Sequence, residues 1–286
     1  MNLKNCQLPM KPTLTAIAFF SVLAMLAGKV NAIPPESSLQ ITASKATNIS
    51  QAKEKLDLEL LAKAITSFLQ SDRYLTESES LVSAKTNGFD FNINVQTKTL
   101  AQSGRKFRSQ ITFTPQDAKA KLDYLVISDG KQVWIYRPDL KQYAITSYAA
   151  FKESFFIGIS SLAFVEIPED TRKSIVETDS SKDIVQEFGL TNDSGLKEEK
   201  RTVDREELTV YSYTDTKDGF NFSGFFQPVT ATLKQIQMGG NSEGLDILIT
   251  ETIIQRTANP TIDAQTFKFS PPPGAKKVRS LSISPF

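Results

Sequence analysis

The chain has 286 residues, with 33 basic and 32 acidic side chains, no histidine, and a single cysteine, Cys6. The lack of histidine excludes Ser-His and Cys-His nucleophiles, His-ligated zinc and an imidazole general base. A formal net charge of +1 leaves no basic footprint for nucleic acid, so no nucleic-acid partner is expected.

Lys4 and Lys11 precede an uncharged apolar run, Leu14 to Gly28, which is followed by Val30-Asn31-Ala32. A basic start, a short apolar middle and a small-residue end form a secretory signal over residues 1–32, with cleavage expected after Ala32. An uncleaved anchor is the alternative, although no strong stop-transfer cluster follows. Cys6 lies before the run and Lys29 directly after Gly28, so no cysteine is placed to receive a lipid. Removing residues 1–32 also removes Lys4, Lys11 and Lys29, leaving 30 basic against 32 acidic residues, a net of −2. The secreted chain then has no thiol and no disulfide, and its stability must come from its core.

Residues 33–51 are rich in Ser, Thr, Ala and Pro without an apolar period and read as a flexible leader. The folded domain is expected over 52–286. It opens with an amphipathic helix, because Leu56, Leu60, Leu61, Ala64, Ile65, Phe68 and Leu69 fall on one stripe. Phe89, Phe91, Ile93 and Val95 then alternate with polar residues, and Phe107, Ser109, Ile111 and Phe113 repeat the alternation, which predicts two half-buried strands.

Leu125 to Tyr143 reads as a three-stranded meander. Asp129-Gly130 suits the centre of a two-residue hairpin, pairing Val126 with Val133 and Leu125 with Trp134. Pro138-Asp139 suits the centre of a second turn, which would bring Tyr143 opposite Trp134. Phe151, Phe155, Phe156, Ile159 and Leu162 recur at helical spacing in a second helix, interrupted by Gly158 and Ser160-Ser161 and therefore able to move.

Pro168 to Val176 reads as a short helix and Thr191 to Arg205 as an exposed loop with charged strand ends. Strands are expected at Thr209 to Tyr213, Phe220 to Phe226, Thr230 to Met238 and Leu245 to Gln255. Lys217-Asp218-Gly219, Gln227-Pro228 and Gly239-Gly240-Asn241 punctuate them. The fold class is α+β: an incomplete antiparallel β-barrel, a curved half-barrel sheet, with helices covering the concave face.

The sequence holds 19 phenylalanines, concentrated on the strand faces and the second helix. Rings without a polar handle either fill a core or wall a hollow that accepts acyl chains. Candidates for such a wall are Phe89, Phe91, Phe107, Ile111, Trp134, Tyr136, Phe151, Phe155, Phe156 and Ile159, with the inward face of the meander left open. Arg105 and Arg108 flank Phe107 and could offer guanidinium groups at a polar rim, or be solvated strand charges. Glu198-Glu199 and Glu206-Glu207 read as solvated surface rather than a catalytic pair. Asp215 and Asp218 lack the ligand spacing of a calcium loop. No catalytic residue, metal or cofactor is expected, and the chain is not read as an enzyme.

Val126-Ile127-Ser128-Asp129-Gly130-Lys131, followed by Trp134-Ile135-Tyr136 and a proline turn, resembles the LolA-type periplasmic lipoprotein carriers, the family that sorts outer-membrane lipoproteins. Phe267-Lys268-Phe269-Ser270-Pro271-Pro272-Pro273-Gly274-Ala275 resembles that family's closing strand and turn. The resemblance spans about residues 52 to 280, carried by these two segments. It implies a monomeric, soluble periplasmic carrier that holds lipoproteins or other acylated lipids in an apolar half-barrel cavity for transfer toward the outer membrane. It further implies an inner-membrane release complex and an outer-membrane acceptor as partners, and the Phe151 to Leu162 helix as a lid. The alternative is a lipid- or lipoprotein-sensing interaction module on the same fold. Members of the family often open the strand before the meander with Arg-Pro; here Ser103-Gly104-Arg105-Lys106-Phe107 stands there, with Arg105 as the nearest substitute.

Overall fold

The computed structural model describes residues 56–86, 89–115, 121–151, 154–188, 190, 195–215, 220–242 and 245–284. The expected signal, the leader and the Lys217-Asp218-Gly219 turn lie outside them. Asp57 caps the first helix, α1 (Leu58–Leu69), by accepting the Leu60 N–H at 2.9 Å, and Glu59 adds a negative charge to the first turn. Leu61, Ala64 and Leu69 turn the buried stripe of α1 toward the sheet.

Six strands follow: β1 (Arg73–Thr86), β2 (Phe89–Gln102), β3 (Lys106–Pro115), β4 (Leu122–Asp129), β5 (Gln132–Arg137) and β6 (Gln142–Ser147). Two short 3-10 turns, Tyr148–Ala150 and Ser154–Ile157, lead to α2 (Ile159–Glu166), α3 (Glu169–Glu177) and α4 (Ser181–Glu187). The chain then returns through β7 (Lys197–Val203), β8 (Glu206–Asp215), β9 (Phe220–Gln227), β10 (Thr232–Ser242) and β11 (Leu245–Ala258), and ends its pairing at β12 (Lys276–Lys277).

Among the described residues twelve strands join one sheet in the order β12-β6-β5-β4-β3-β2-β1-β11-β10-β9-β8-β7. Every pairing is antiparallel except the parallel β12–β6 edge. The sheet is an open half-barrel, with β12 and β7 as its unjoined ends. The anticipated α+β architecture, a curved antiparallel sheet with helices on one face, is the one observed.

Alternation fixes which side faces the helices. Val95 pairs with Phe113, Thr97 with Ile111, and Ala101 with Phe107, and these side chains are buried with α1 and α2 in one core. This inner face continues through Tyr124 and Val126 on β4 and Val133 and Ile135 on β5. Fully burying one such aliphatic or aromatic side chain contributes about 1.5–3 kcal/mol.

The meander forms in a register different from the expected one. Val126 faces Ile135, Leu125 faces Tyr136 and Ser128 faces Val133. Asp129 opens the turn instead of occupying its centre, because its Oδ1 accepts the N–H groups of Lys131 and Gln132, both at 2.8 Å. The next connection runs from Pro138 to Lys141, closed by Lys141 N–H to the Pro138 carbonyl at 3.1 Å, so Tyr143 faces Tyr136 and Trp134 faces Ile145.

Other boundaries also differ. The polar stretch, expected as an exposed loop with charged strand ends, is strand over Lys197–Val203, where β7 forms an edge paired along β8. Gly239, Gly240 and Asn241 lie inside β10, where Gly240 faces Ile247, and do not form a hairpin tip. Phe267 to Ala275 contributes no strand; the segment crosses the outer face, turns at Gly274 (φ 80°), and pairs only through β12. It then passes round the β6 edge to bury Ile283 in the inner core, where the Tyr124 hydroxyl donates to the Ser284 carbonyl at 2.9 Å. Among the described residues no helix is long and apolar enough to cross a membrane.

Candidate functional site: a covered apolar face

The inner face of β2, β3 and β4 is covered by Phe151, the 3-10 turn Ser154–Ile157 and α2. α2 is apolar or small nearly all round, and Ile159, Ser160, Ser161, Leu162, Phe164 and Val165 are all buried. Ring contacts knit this cover to the sheet. Phe156 meets Phe113 edge-on at 5.0 Å and stacks on Phe155 at 3.9 Å, Phe151 lies 6.0 Å from Phe107, and Phe164 meets Tyr74 edge-on at 5.1 Å. The expected single helix from Phe151 is divided at Gly158, whose φ of +93° breaks it into a 3-10 turn and an α-helix.

A band of hydroxyls crosses the apolar face beneath that break. Ser78 and Thr97 are 2.8 Å apart, and Thr99 and Ser109 2.7 Å apart. Thr99 Oγ1 also contacts the Ile157 carbonyl at 2.7 Å and ties down the end of the 3-10 turn. Glu251, on the inner side of β11, is fully buried among them. Its Oε2 accepts the Ser160 N–H at 2.7 Å; its Oε1 accepts the hydroxyls of Ser160 at 2.9 Å and Ser78 at 2.7 Å. Glu251 thereby fills the capping role that Gly158 cannot provide. Burial raises its carboxyl above the ordinary value, opposed by the donors from Ser160, Ser78 and Ile159.

The far end of α2 is held at the rim. Glu166 accepts the Tyr148 hydroxyl at 2.5 Å and lies 3.4 Å from Arg105, whose guanidinium also stands over the Tyr148 ring at 5.1 Å. Burial, followed by the neighbouring Glu166, raises the Tyr148 phenol. On α1, Phe68 stacks on the guanidinium of Arg256 at 3.8 Å while Tyr74 covers its other side at 3.6 Å, and burial pushes this arginine down to about 10. Arg172 on α3 donates to the Leu69 carbonyl at 3.2 Å, satisfying the C-terminal end of α1.

The sequence candidates therefore divide. Phe107, Ile111, Phe151, Phe155, Phe156 and Ile159 converge between cover and sheet, and Phe91 joins them half-buried on the same face. The Phe89 side chain lies outside the described residues. Trp134 and Tyr136 do not belong with this group: they alternate with buried Val133 and Ile135 and stand on the outer face. There Tyr136 and Tyr143 pack on Phe269 at 6.0 and 5.2 Å. Arg108 is likewise on the outer face, its Nη1 3.5 Å from the Thr266 carbonyl, whereas Arg105 is at the rim beside the cover.

Glu251, Ser78, Thr99 and Ser160 were not among the candidates. The available signal was one carboxylate in phase with Ile247 and Ile249 on an otherwise apolar strand face.

No family model and no curated protein sequence matches the chain. Among solved structures it is similar to an uncharacterized conserved protein from Thermus thermophilus, with 12% identity and a TM-score of 0.41, covering 78% of this chain and 98% of that one. It is also similar to LprF from Mycobacterium bovis, with 10% identity and a TM-score of 0.38, covering 73% and 96%. A LolA superfamily protein from Nitrosomonas europaea is a further structural neighbour, with 10% identity and a TM-score of 0.30, covering 73% and 96%.

Proposed function

We propose that the chain is a carrier of acyl chains, borne by lipoproteins or other acylated lipids, and that it holds them on the inner face of the half-barrel beneath the cover formed by Phe151 and residues 154–166. The supporting observation is the cover itself. It is apolar nearly all round, broken at Gly158, and seated on a sheet face of Val95, Ile111 and Phe113 through rings that an acyl chain could replace. Each methylene transferred from water to such a face gains about 0.8 kcal/mol, so an acylated protein leaving a membrane needs an apolar host. The cover and the cargo are alternative occupants of one surface, and exchange between them requires no catalyst, metal or cofactor.

With the expected secretory signal and the two family-like segments in support, the mature chain in this reading works in the periplasm as a monomer. A release complex of the inner membrane would load it, and an outer-membrane acceptor would unload it. Native mass spectrometry of protein purified from its own envelope without detergent tests the proposal. A bound acylated peptide supports lipoprotein carriage, free phospholipid supports a lipid shuttle, and a consistently empty protein overturns both.

A further inference from the structure

We infer that Glu251 is a proton-operated latch for the cover: with the carboxyl protonated the cover stays seated, and loss of that proton favours its release. This inference rests on reading residues 154–166 as a movable cover, but not on the identity or presence of a cargo.

The surroundings of Glu251 suit a group that changes protonation in place. Ser78 reaches it from β1, Thr97 from β2 through Ser78, and Ser160 from α2 through both N–H and hydroxyl; Ile236 faces it from β10. The side-chain contacts are hydroxyls, which can donate to a carboxylate or accept from a carboxylic acid. The Ser160 N–H can serve the acid's carbonyl oxygen as well as the carboxylate. The cation coupled electrostatically to Glu251 is Arg256, farther along β11 and stacked between Phe68 and Tyr74. A cation in direct contact would lock the charged form, whereas a hydroxyl cage tolerates either form at different cost.

The chain geometry makes this contact a control point. A Cβ on Gly158 would lie 2.8 Å from Glu251 Oε1, so the break in the cover rests almost directly on the carboxyl. Seating the cover leaves Glu251 with no exposed surface, and lifting it would return the carboxyl to water. The seated form therefore has the higher proton affinity. Closure is strongest below the ordinary carboxylate value and is lost as pH rises through the raised one. Loosening with rising pH is thus built into a chain without histidine.

Hydrogen exchange of the ligand-free full chain, expressed as protection factors for peptides within 154–166, tests the latch between pH 5 and pH 9. In the wild type, protection should fall with rising pH, by up to about tenfold per unit for one coupled proton. Peptides in β4 and β5 should hold theirs. Glu251→Gln, a neutral near-isostere, should flatten the slope and retain high protection. Ser78→Ala removes a donor that favours the charged form, so the fall should move to higher pH. An unchanged slope in Glu251→Gln, or no upward movement in Ser78→Ala, overturns the latch. Should Glu251→Gln fail to fold, the Ser78→Ala shift decides alone. An acyl-free protein with this pH response would sink the carrier reading and leave the latch standing; bound acyl chain with no response would do the reverse.

Discussion

Gly130 holds φ at +95°, and a Cβ there would sit 2.5 Å from the carbonyl oxygen of Gly104, in the neighbouring β2–β3 turn. Both the conformation and the space require glycine. Gly130→Ala should lower the unfolding free energy by about 2 kcal/mol or more, read from the midpoint of urea denaturation. Arg105 presents the opposite case. Its ion pair with Glu166 leaves 53% of the arginine side chain exposed, so solvent and salt screen it. Arg105→Ala should change stability by less than about 1 kcal/mol in the same measurement. The Asp-Gly turn and a rim arginine were readable as residue types. Their partners were not, because the Asx geometry at Asp129 and the Arg105–Glu166 contact depend on neighbours that local sequence does not specify.

At the scale of the element, a strand or helix was legible where its buried side was apolar and its other side polar. The faces of β2 and β3 follow from their phenylalanines. β1 is not legible as a strand because its inner face carries Thr76, Ser78 and Ser80, so fourteen central residues show no apolar alternation. Of these hydroxyls Ser78 holds Glu251 beneath the cover, so the polar face that hides the strand from its sequence is tied to the site. β7 is legible only as charged strand ends for another reason: a charged edge strand needs little apolar content when only one neighbour pairs with it. Gly158 and Ser160-Ser161 mark the cover as broken in sequence, but its capping by Glu251 joins residues far apart in the chain. Phe156 is half-buried at the cover–sheet contact, and Phe156→Arg should reduce detergent-free recovery of bound acyl chain. A charge at Trp134, on the outer face, should leave recovery near the wild-type level. Equal losses from the two substitutions, with both variants folded, would argue against the inner face as the binding surface.

For the whole molecule, the path after β11 decides how the open sheet is finished. Residues 260–284 cover Tyr136 and Tyr143 on the outer face, pair along the exposed edge of β6, and insert Ile283 into the inner core. Unpaired edges and uncovered rings favour association between chains. Truncation after Asn259 should cost about 3 kcal/mol or more from lost burial of Phe269 and Ile283. That corresponds to a fall of about 6–12 °C in Tm, accompanied by rising light scattering below the transition. The family-like closing segment was visible as sequence, yet its wrapping path was not, since three prolines and a glycine specify turns but not the surface they turn around. The half-barrel class could be inferred from element order; the placement of Trp134 outside it required the register.

That placement bears on how the protein can be watched. The chain has one tryptophan, and it stands on the side of the sheet away from the cover. Tryptophan emission is therefore a gauge of the outer side of the meander, and a titration followed by it would register little while the opposite side filled. A reporter for loading has to be introduced on residues 154–166, where the native chromophore is blind.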